Sequence, residues 1–228
     1  MTAGPLCLVG GAEWTDGCDF DATLLQESGA GTVVVLATAA AYEGAGVAVD
    51  QARAWFTGLG VEVAAPNVIT RPDAFDAANV AAVRGAGFIY LAGGPTGGSP
   101  MHLRSVLKDS PLFDGMVEAW RGGAVLAGAG AGGGVLFDHM VDTRGGAFTV
   151  GLGLLSGFTM IQRYDTWSSE KVHRTVDLAA AGMPVAGIEE RTALVHRAGS
   201  GWTIEGAGTV HVFRNGTQAD LGALPTPV

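Results

Sequence analysis

The sequence has 228 residues, of which 48% are hydrophobic, so it is long and apolar enough to bury a substantial core. Its net charge of −9 argues against nucleic-acid binding, which usually requires a basic surface. No apolar run reaches the ~18 residues of a membrane span, and the N-terminus lacks the regions of a signal peptide. We therefore expect a cytoplasmic protein that has neither a nucleic-acid nor a membrane partner.

Short apolar segments alternate with stretches of helical length over the first half of the chain. Strands are predicted at residues 6–10, 32–36, 61–65, 88–92 and 124–127. Helices are predicted between them, including residues 46–59 and 74–84. Continuous apolar strands separated by helices are typical of a parallel sheet that is covered on both faces. The pattern predicts a three-layer α/β sandwich with a mostly parallel central sheet.

The last third of the chain contains closely spaced strands separated by turn signals. These strands are predicted at residues 184–188, 192–196, 201–204 and 209–213. Their spacing predicts an antiparallel extension on one edge of the sheet. No linker is long enough to separate two domains, so we expect residues 1–228 to form a single domain.

Glycines follow several of the predicted strands. Gly10-Gly11, Gly93-Gly94 and Gly128 lie where strands end. In open α/β sheets, ligands bind outside the carboxyl ends of the strands. This edge of the sheet is therefore the predicted position of a binding crevice.

The segment from 125 to 136, VLAGAGAGGGVL, has the layout of a nucleophile elbow. In such an elbow, a sharp turn between a strand and a helix holds a serine or cysteine. Here the position of the nucleophile holds Gly130, which is followed by Ala131. A glycine cannot form an acyl-enzyme, so the elbow lacks its attacking atom.

Several motifs together resemble the cyanophycinase and dipeptidase E family of serine peptidases, in their order as well as their composition. The matching motifs are Gly10-Gly11-Ala12-Glu13, Tyr90-Leu91-Ala92-Gly93-Gly94, Gly128-Ala129-Gly130-Ala131-Gly132, the Gly-Leu-Gly-Leu-Leu run from 151 to 155, and Gly187-Ile188-Glu189-Glu190-Arg191-Thr192-Ala193-Leu194. Two further segments resemble an actinobacterial-type branch, namely Ser99-Pro100-Met101-His102-Leu103-Arg104 and Asp165-Thr166-Trp167. The resemblance implies a class I glutamine amidotransferase-like fold.

The resemblance also implies a catalytic serine, a histidine base and an acidic residue. The serine position is Gly130, the histidine position aligns with Arg163, and Glu190 matches the acidic position. Arginine stays protonated in proteins and cannot act as a general base at neutral pH. The chain therefore resembles a diverged member that has lost its hydrolytic triad.

The family takes one oxyanion donor from the second Gly-Gly turn, at Gly93-Gly94. In this chain the turn continues with Pro95-Thr96-Gly97-Gly98, which is longer than the resemblance implies. Pro95 has no N–H to donate. The shape of the oxyanion site is therefore expected to differ.

Other polar and aromatic residues are candidates for the crevice. Glu13 follows the first Gly-Gly turn and could form a polar cluster with Arg163 and Glu190, either around a ligand or as a structural ion-pair network. Three aromatic residues are expected near the rim of the crevice, namely Trp14, Tyr164 and Trp167. Such rings either grip a ligand or pack in the core.

None of the histidines pairs with another at a spacing typical of metal ligands, so no metal or other cofactor is expected. His102 is an alternative base that could approach the crevice from the side. Asp138-His139 is interpreted as the end of the elbow helix.

Three functions remain open. The crevice could bind a small molecule or carry out acid–base chemistry without a covalent nucleophile. The chain could be a non-catalytic interaction protein. It could also be a peptidase whose nucleophile was removed by engineering, although this would explain neither Arg163 nor the longer loop. A homodimer is expected from the resemblance and the high apolar content.

Overall fold

The computed structural model describes residues 2–227. Its strands are β1 Leu6–Val9, β2 Thr32–Leu36, β3 Glu62–Ala64, β4 Phe88–Leu91, β5 Val125–Ala129, β6 His139–Val141, β7 Phe148–Val150, β8 Thr159–Ile161, β9 Val185–Ile188, β10 Thr192–Arg197, β11 Gly201–Gly206, β12 Val210–Arg214 and β13 Thr217–Ala219. Its α-helices are α1 Phe20–Ser28, α2 Ala45–Gly58, α3 Ala77–Arg84, α4 Pro100–Leu107, α5 Pro111–Arg121, α6 Ala131–Gly134 and α7 Ser169–Asp177. Short 3₁₀ turns include Thr38–Ala40, Arg71–Phe75 and Tyr164–Thr166.

A seven-stranded sheet in the order β11-β10-β1-β5-β4-β2-β3 forms the centre of the molecule. The strands from β1 to β3 in this order are parallel, whereas β10 and β11 are antiparallel to their neighbours. The predicted mostly parallel α/β sheet is therefore confirmed.

Apolar side chains on both faces explain why these strands form the centre of the sheet. Strands β1, β4 and β5 are buried along their whole length. Because neighbouring residues of a strand point to opposite faces, Ile89 packs in one core cluster and Tyr90 in the other. Helices α4 and α5 cover the first cluster through Leu103 and Met116, and α1 and α2 cover the second.

The C-terminal strands differ from the predicted edge extension. Strands β10 and β11 do extend the central sheet, but β9 pairs with β8 and β12 in a separate sheet of order β13-β12-β9-β8. Strand β8 was not predicted from the sequence, because a three-residue strand carries almost no periodicity. Without β8, nothing in the sequence indicated that β9 leaves the central sheet.

The elbow helix is also shorter than predicted. Helix α6 spans only Ala131–Gly134, and His139 begins strand β6. Asp138-His139 is therefore not the end of a helix, and that prediction was wrong. The glycines of α6 favour close packing over a long helix, because each glycine in a helix interior costs about 1 kcal/mol relative to alanine.

The loops that follow β1, β2, β4 and β5 leave the sheet at its carboxyl edge, where the candidate site lies. Among the described residues, every helix is too short or too polar to cross a lipid bilayer.

Candidate active site

Gly130 lies at the turn between β5 and α6, as the sequence predicts. Its backbone angles are φ 50° and ψ −115°, outside the regions that side chains other than glycine readily adopt. The Gly130 N–H donates to the carbonyl oxygen of Val9 at 2.9 Å, which ties the elbow to β1.

Space around the elbow differs sharply between neighbouring glycines. A Cβ atom added to Gly132 would lie 2.1 Å from the carbonyl oxygen of Leu91. At Gly130 the nearest atoms would be the Gly93 Cα at 3.7 Å and the Gly97 oxygen at 3.8 Å, both ordinary contacts. Position 130 therefore has room for a side chain, and only its backbone angles disfavour one.

A cavity of about 220 Å³ opens beside Gly130. Most of the site residues predicted from the sequence line it: Gly11, Glu13, Gly93, Gly94, Gly130, Arg163 and Glu190. The remaining lining residues are Ala12, Thr15, Gln51, Pro95 and Gly97. We call this cavity the crevice.

Arg163 and Glu190 form an ion pair within the crevice. The Glu190 Oε1 atom lies 2.6 Å from Arg163 Nε and 2.5 Å from Arg163 Nη2. Arg163 has a left-handed backbone, and its N–H donates to the Gly10 carbonyl oxygen at 2.9 Å. A charge-assisted pair of this kind fixes the guanidinium beside the carboxylate.

Glu13 takes both N–H groups of the second Gly-Gly turn. Its Oε1 atom accepts from Gly93 N at 2.8 Å and from Gly94 N at 3.2 Å. Desolvation raises the pKa of this carboxyl, although the hydrogen bonds and the charge of Arg163 act in the opposite direction. Neither N–H group is therefore available to stabilise an oxyanion beside Gly130.

Glu43 braces the loop at residues 95–98, and it was not among the residues predicted from the sequence. Its carboxylate accepts from Thr96 N at 3.1 Å and from Gly98 N at 3.2 Å. The Gly97 N–H donates to the Gly94 carbonyl oxygen. The N–H groups of Thr96 and Gly98 are thus engaged by Glu43 from outside the loop, and that of Gly97 is engaged by the Gly-Gly turn. Glu43 could have been suspected only because it follows β2 at the carboxyl edge of the sheet.

Several candidate residues lie outside the crevice. Tyr164 and Trp167 line a different cavity, beside α7. Trp14 is buried in the core, with its ring centroid 5.0 Å from that of Tyr90. These rings were predicted to lie together because a sequence does not show which side of a short turn each residue faces.

Gly10, Ala131 and His102 also do not line the crevice. Gly10 and Ala131 are buried behind it, where Gly10 supplies the acceptor for Arg163 N. His102 is held by Ile69 O at 2.8 Å from its Nε2 and by Tyr42 Oη at 3.2 Å from its Nδ1. This histidine is engaged away from Gly130, so the structure does not present it as a base.

Comparison with known proteins agrees with the fold. The model of peptidase family S51 matches residues 7–204. A solved structure of a peptidase from an acI-B1 Actinobacterium superimposes with a TM-score of 0.82 and is 27% identical, covering 95% of this chain and 93% of that chain. No curated protein matches the sequence. The chain therefore belongs to peptidase family S51, the cyanophycinase and dipeptidase E family.

Proposed function

We propose that this S51 protein has lost peptide hydrolysis and that its crevice binds a small polar molecule. The observation that carries the proposal is the Arg163–Glu190 ion pair beside a glycine elbow. A glycine supplies no nucleophile, and a guanidinium cannot accept the proton of one.

The state of the oxyanion donors supports the same proposal. Acyl transfer requires N–H groups directed at the developing negative charge. Here the Gly93 and Gly94 N–H groups point to Glu13, and those of Thr96 and Gly98 point to Glu43. These two carboxylates hold the shape of the loop and engage its donors.

The crevice still offers polar groups to a ligand. The hydrogen bonds and the ion pair among the described residues of the crevice use Glu13 Oε1, Arg163 Nε and Nη2, and Glu190 Oε1. These interactions leave Arg163 Nη1, Glu13 Oε2 and Glu190 Oε2 for a ligand. One fixed donor group and two acceptor groups thus converge on a cavity of about 220 Å³. This set fits a small ligand that carries both an acidic and a basic or hydroxyl group.

Thermal unfolding in the presence of a panel of amino acids and small dicarboxylic acids tests this binding. A ligand that binds the native state at a hundredfold excess over its Kd adds about 2.7 kcal/mol of stability. We expect Arg163→Lys to abolish the stabilisation, because lysine keeps the charge but lacks the planar guanidinium. The matched control is Arg53→Lys at an exposed pair. Absence of any stabilising ligand, or an unchanged response in Arg163→Lys, would contradict the proposal.

A second candidate function is acid–base chemistry by Glu13. Its raised pKa and free Oε2 atom favour this role, since a carboxyl shifted towards neutrality can both donate and accept a proton. A bound carbonyl compound should then exchange the proton on its adjacent carbon with deuterated solvent. We expect Glu13→Gln, which keeps an acceptor for Gly93 and Gly94, to stop that exchange. No exchange by the parent protein would eliminate this candidate.

A further inference from the structure

A second and larger cavity, of about 670 Å³, lies on the far side of the turn that carries Arg163. It is bounded by the 3₁₀ turn Tyr164–Thr166, helix α7 and the end of β12. We call it the α7 pocket. The S51 resemblance assigns it no role, and it is separate from the crevice.

The walls of the α7 pocket are mainly aromatic and aliphatic. Tyr164, Trp167 and Phe213 contribute rings, and Val172 and Val176 contribute aliphatic surface from α7. All five side chains are buried or half-buried in the described structure. The pocket therefore presents a continuous apolar surface to a ligand.

Neighbouring residues hold two of these rings in place. Tyr164 stacks on His211 with 4.5 Å between ring centroids, and it packs so closely over Gly187 that a Cβ atom there would lie 2.2 Å from the ring. The Lys171 Nζ atom lies 3.5 Å from the centroid of the Trp167 ring. Because the rings are fixed before a ligand arrives, little side-chain entropy is lost on binding.

The charges that line the α7 pocket are predominantly negative. Asp165 and Glu170 supply carboxylates, whereas the lining contains no lysine or arginine. Glu170 is paired with Arg174 at 3.1 Å, and the lining His173 is paired with Asp177 at 3.1 Å.

Asp165 is different from Glu170 because it has no cationic partner among the described residues. Its Oδ1 atom accepts from Glu190 N at 2.9 Å, which fixes the side chain through a neutral donor. The carboxylate charge thus remains unmatched beside the aromatic walls. Lys171, which follows Glu170 on α7, is engaged with Trp167 and with the carbonyl oxygen of Thr143.

We propose that the α7 pocket binds a small organic cation with a flat apolar body, of the arylalkylamine class. The apolar body would pack against the rings, and the ammonium would face Asp165. Aromatic rings pack favourably against the flat apolar body of such a ligand, and the net charge of −9 raises the local concentration of cations around the protein. This site is independent of what the crevice binds.

Calorimetric titration with three ligands of the same shape tests the proposal directly. Phenethylamine carries a cation, phenylacetate an anion and phenethyl alcohol no charge. We expect the affinity to follow the order amine, alcohol, acid. Failure of the amine to bind, or equal binding of all three ligands, would overturn the proposal without any variant being made.

Variants then locate the charge. Asp165→Asn keeps an oxygen for Glu190 N and should weaken binding of the amine about two- to fivefold, as expected for loss of one exposed ion pair. Binding of the alcohol should not change. Asp50→Asn removes the same charge from a distant exposed site and is the matched control. If both variants weakened binding of the amine equally, the effect would come from net charge alone, and the assignment of Asp165 would be overturned.

The NMR chemical shifts of backbone amides locate the ligand independently of any variant. Amide shifts on titration should map to α7 and the turn at residues 163–167. Shifts confined to Gly93 and Gly94 would place the amine in the crevice and contradict the proposal.

Discussion

At the scale of single residues, the backbone angles of position 130, and not the space around it, disfavour any residue other than glycine. Gly130→Ala should therefore fold but lose about 1–3 kcal/mol of unfolding free energy, the usual cost of a strained positive φ. Gly132→Ala should lose more, because its Cβ would meet the Leu91 carbonyl oxygen. Urea unfolding of both variants gives the comparison. If Gly130→Ala had the same unfolding free energy as the parent protein, the backbone of the elbow would not be strained.

Asp21 is a buried acid on α1, and its ionisation opposes folding. Trp55 Nε1 donates to its Oδ2 atom at 2.9 Å, but Oδ1 has no partner, and burial raises the pKa well above its usual value. Because the pKa of Asp21 is higher in the folded than in the unfolded protein, its burial costs no unfolding free energy below the pKa of the unfolded state. The unfolding free energy then falls as pH rises towards the pKa of the folded state. Each unit of difference between the pKa values of the folded and unfolded states corresponds to about 1.4 kcal/mol of unfolding free energy.

Asp21→Asn should flatten this dependence. We expect the parent protein to lose unfolding free energy from about pH 4 upwards, starting at the ordinary pKa of aspartate, and the variant to lose less. Part of the slope should remain, because the pKa of Glu13 is also raised. Urea unfolding across pH measures both proteins, with the exposed Asp50→Asn as control. Identical slopes would refute the assignment to Asp21.

At the scale of elements, serine caps mark the beginnings of helices α4, α5 and α7. Ser110 is 1% exposed, and its Oγ accepts from Phe113 N at 3.2 Å and donates to Leu107 O at 2.7 Å. Ser110→Ala should cost about 1–2 kcal/mol. Ser168→Ala, at the exposed cap of α7, removes a similar bond to Lys171 N and should cost less. Unfolding free energies that are equal for the two variants would contradict the burial argument.

Elements buried on both faces were predictable from the sequence, whereas most of the short ones were not. The three-residue strand β3, predicted at residues 61–65, is an exception. Strands β1, β2, β4 and β5 match the predicted segments within two residues at each end, because continuous apolar runs leave little choice. Strands β6 and β8 and the short α6 were missed or misread, since three or four residues show no period. The separate sheet built on β8 follows from that omission.

In the candidate site, too, some residues were predictable from the sequence and others were not. Gly130, Arg163 and Glu190 come together as the motif order predicts, because each follows a strand or turn at one edge of the sheet. The role of Glu43 depends on hydrogen bonds to a loop more than 50 residues away in sequence, such as Thr96, and no local pattern encodes such a link. Tyr164 and Trp167 were assigned to the wrong cavity for a related reason.

At the scale of the whole molecule, we propose that the chain forms a homodimer, as its family resemblance and apolar content suggest. Exposed apolar side chains are available for such contacts, including Tyr42 at 79% and Val150 at 59%. Light scattering at micromolar concentration should give twice the mass of the 23.1 kDa chain. A monomer at that concentration would end the proposal.

We propose that hydrolysis is absent because two catalytic groups have been replaced. The direct test is the turnover of Asp-X dipeptides by the parent protein, by Gly130→Ser and by Gly130→Ser with Arg163→His. We expect no turnover from the first two, because Arg163 cannot take the proton of a serine. Weak turnover is expected only from the double variant, in which Glu190 can orient the new imidazole. Robust turnover by Gly130→Ser alone would contradict the account and would identify a peptidase that lacks a single residue.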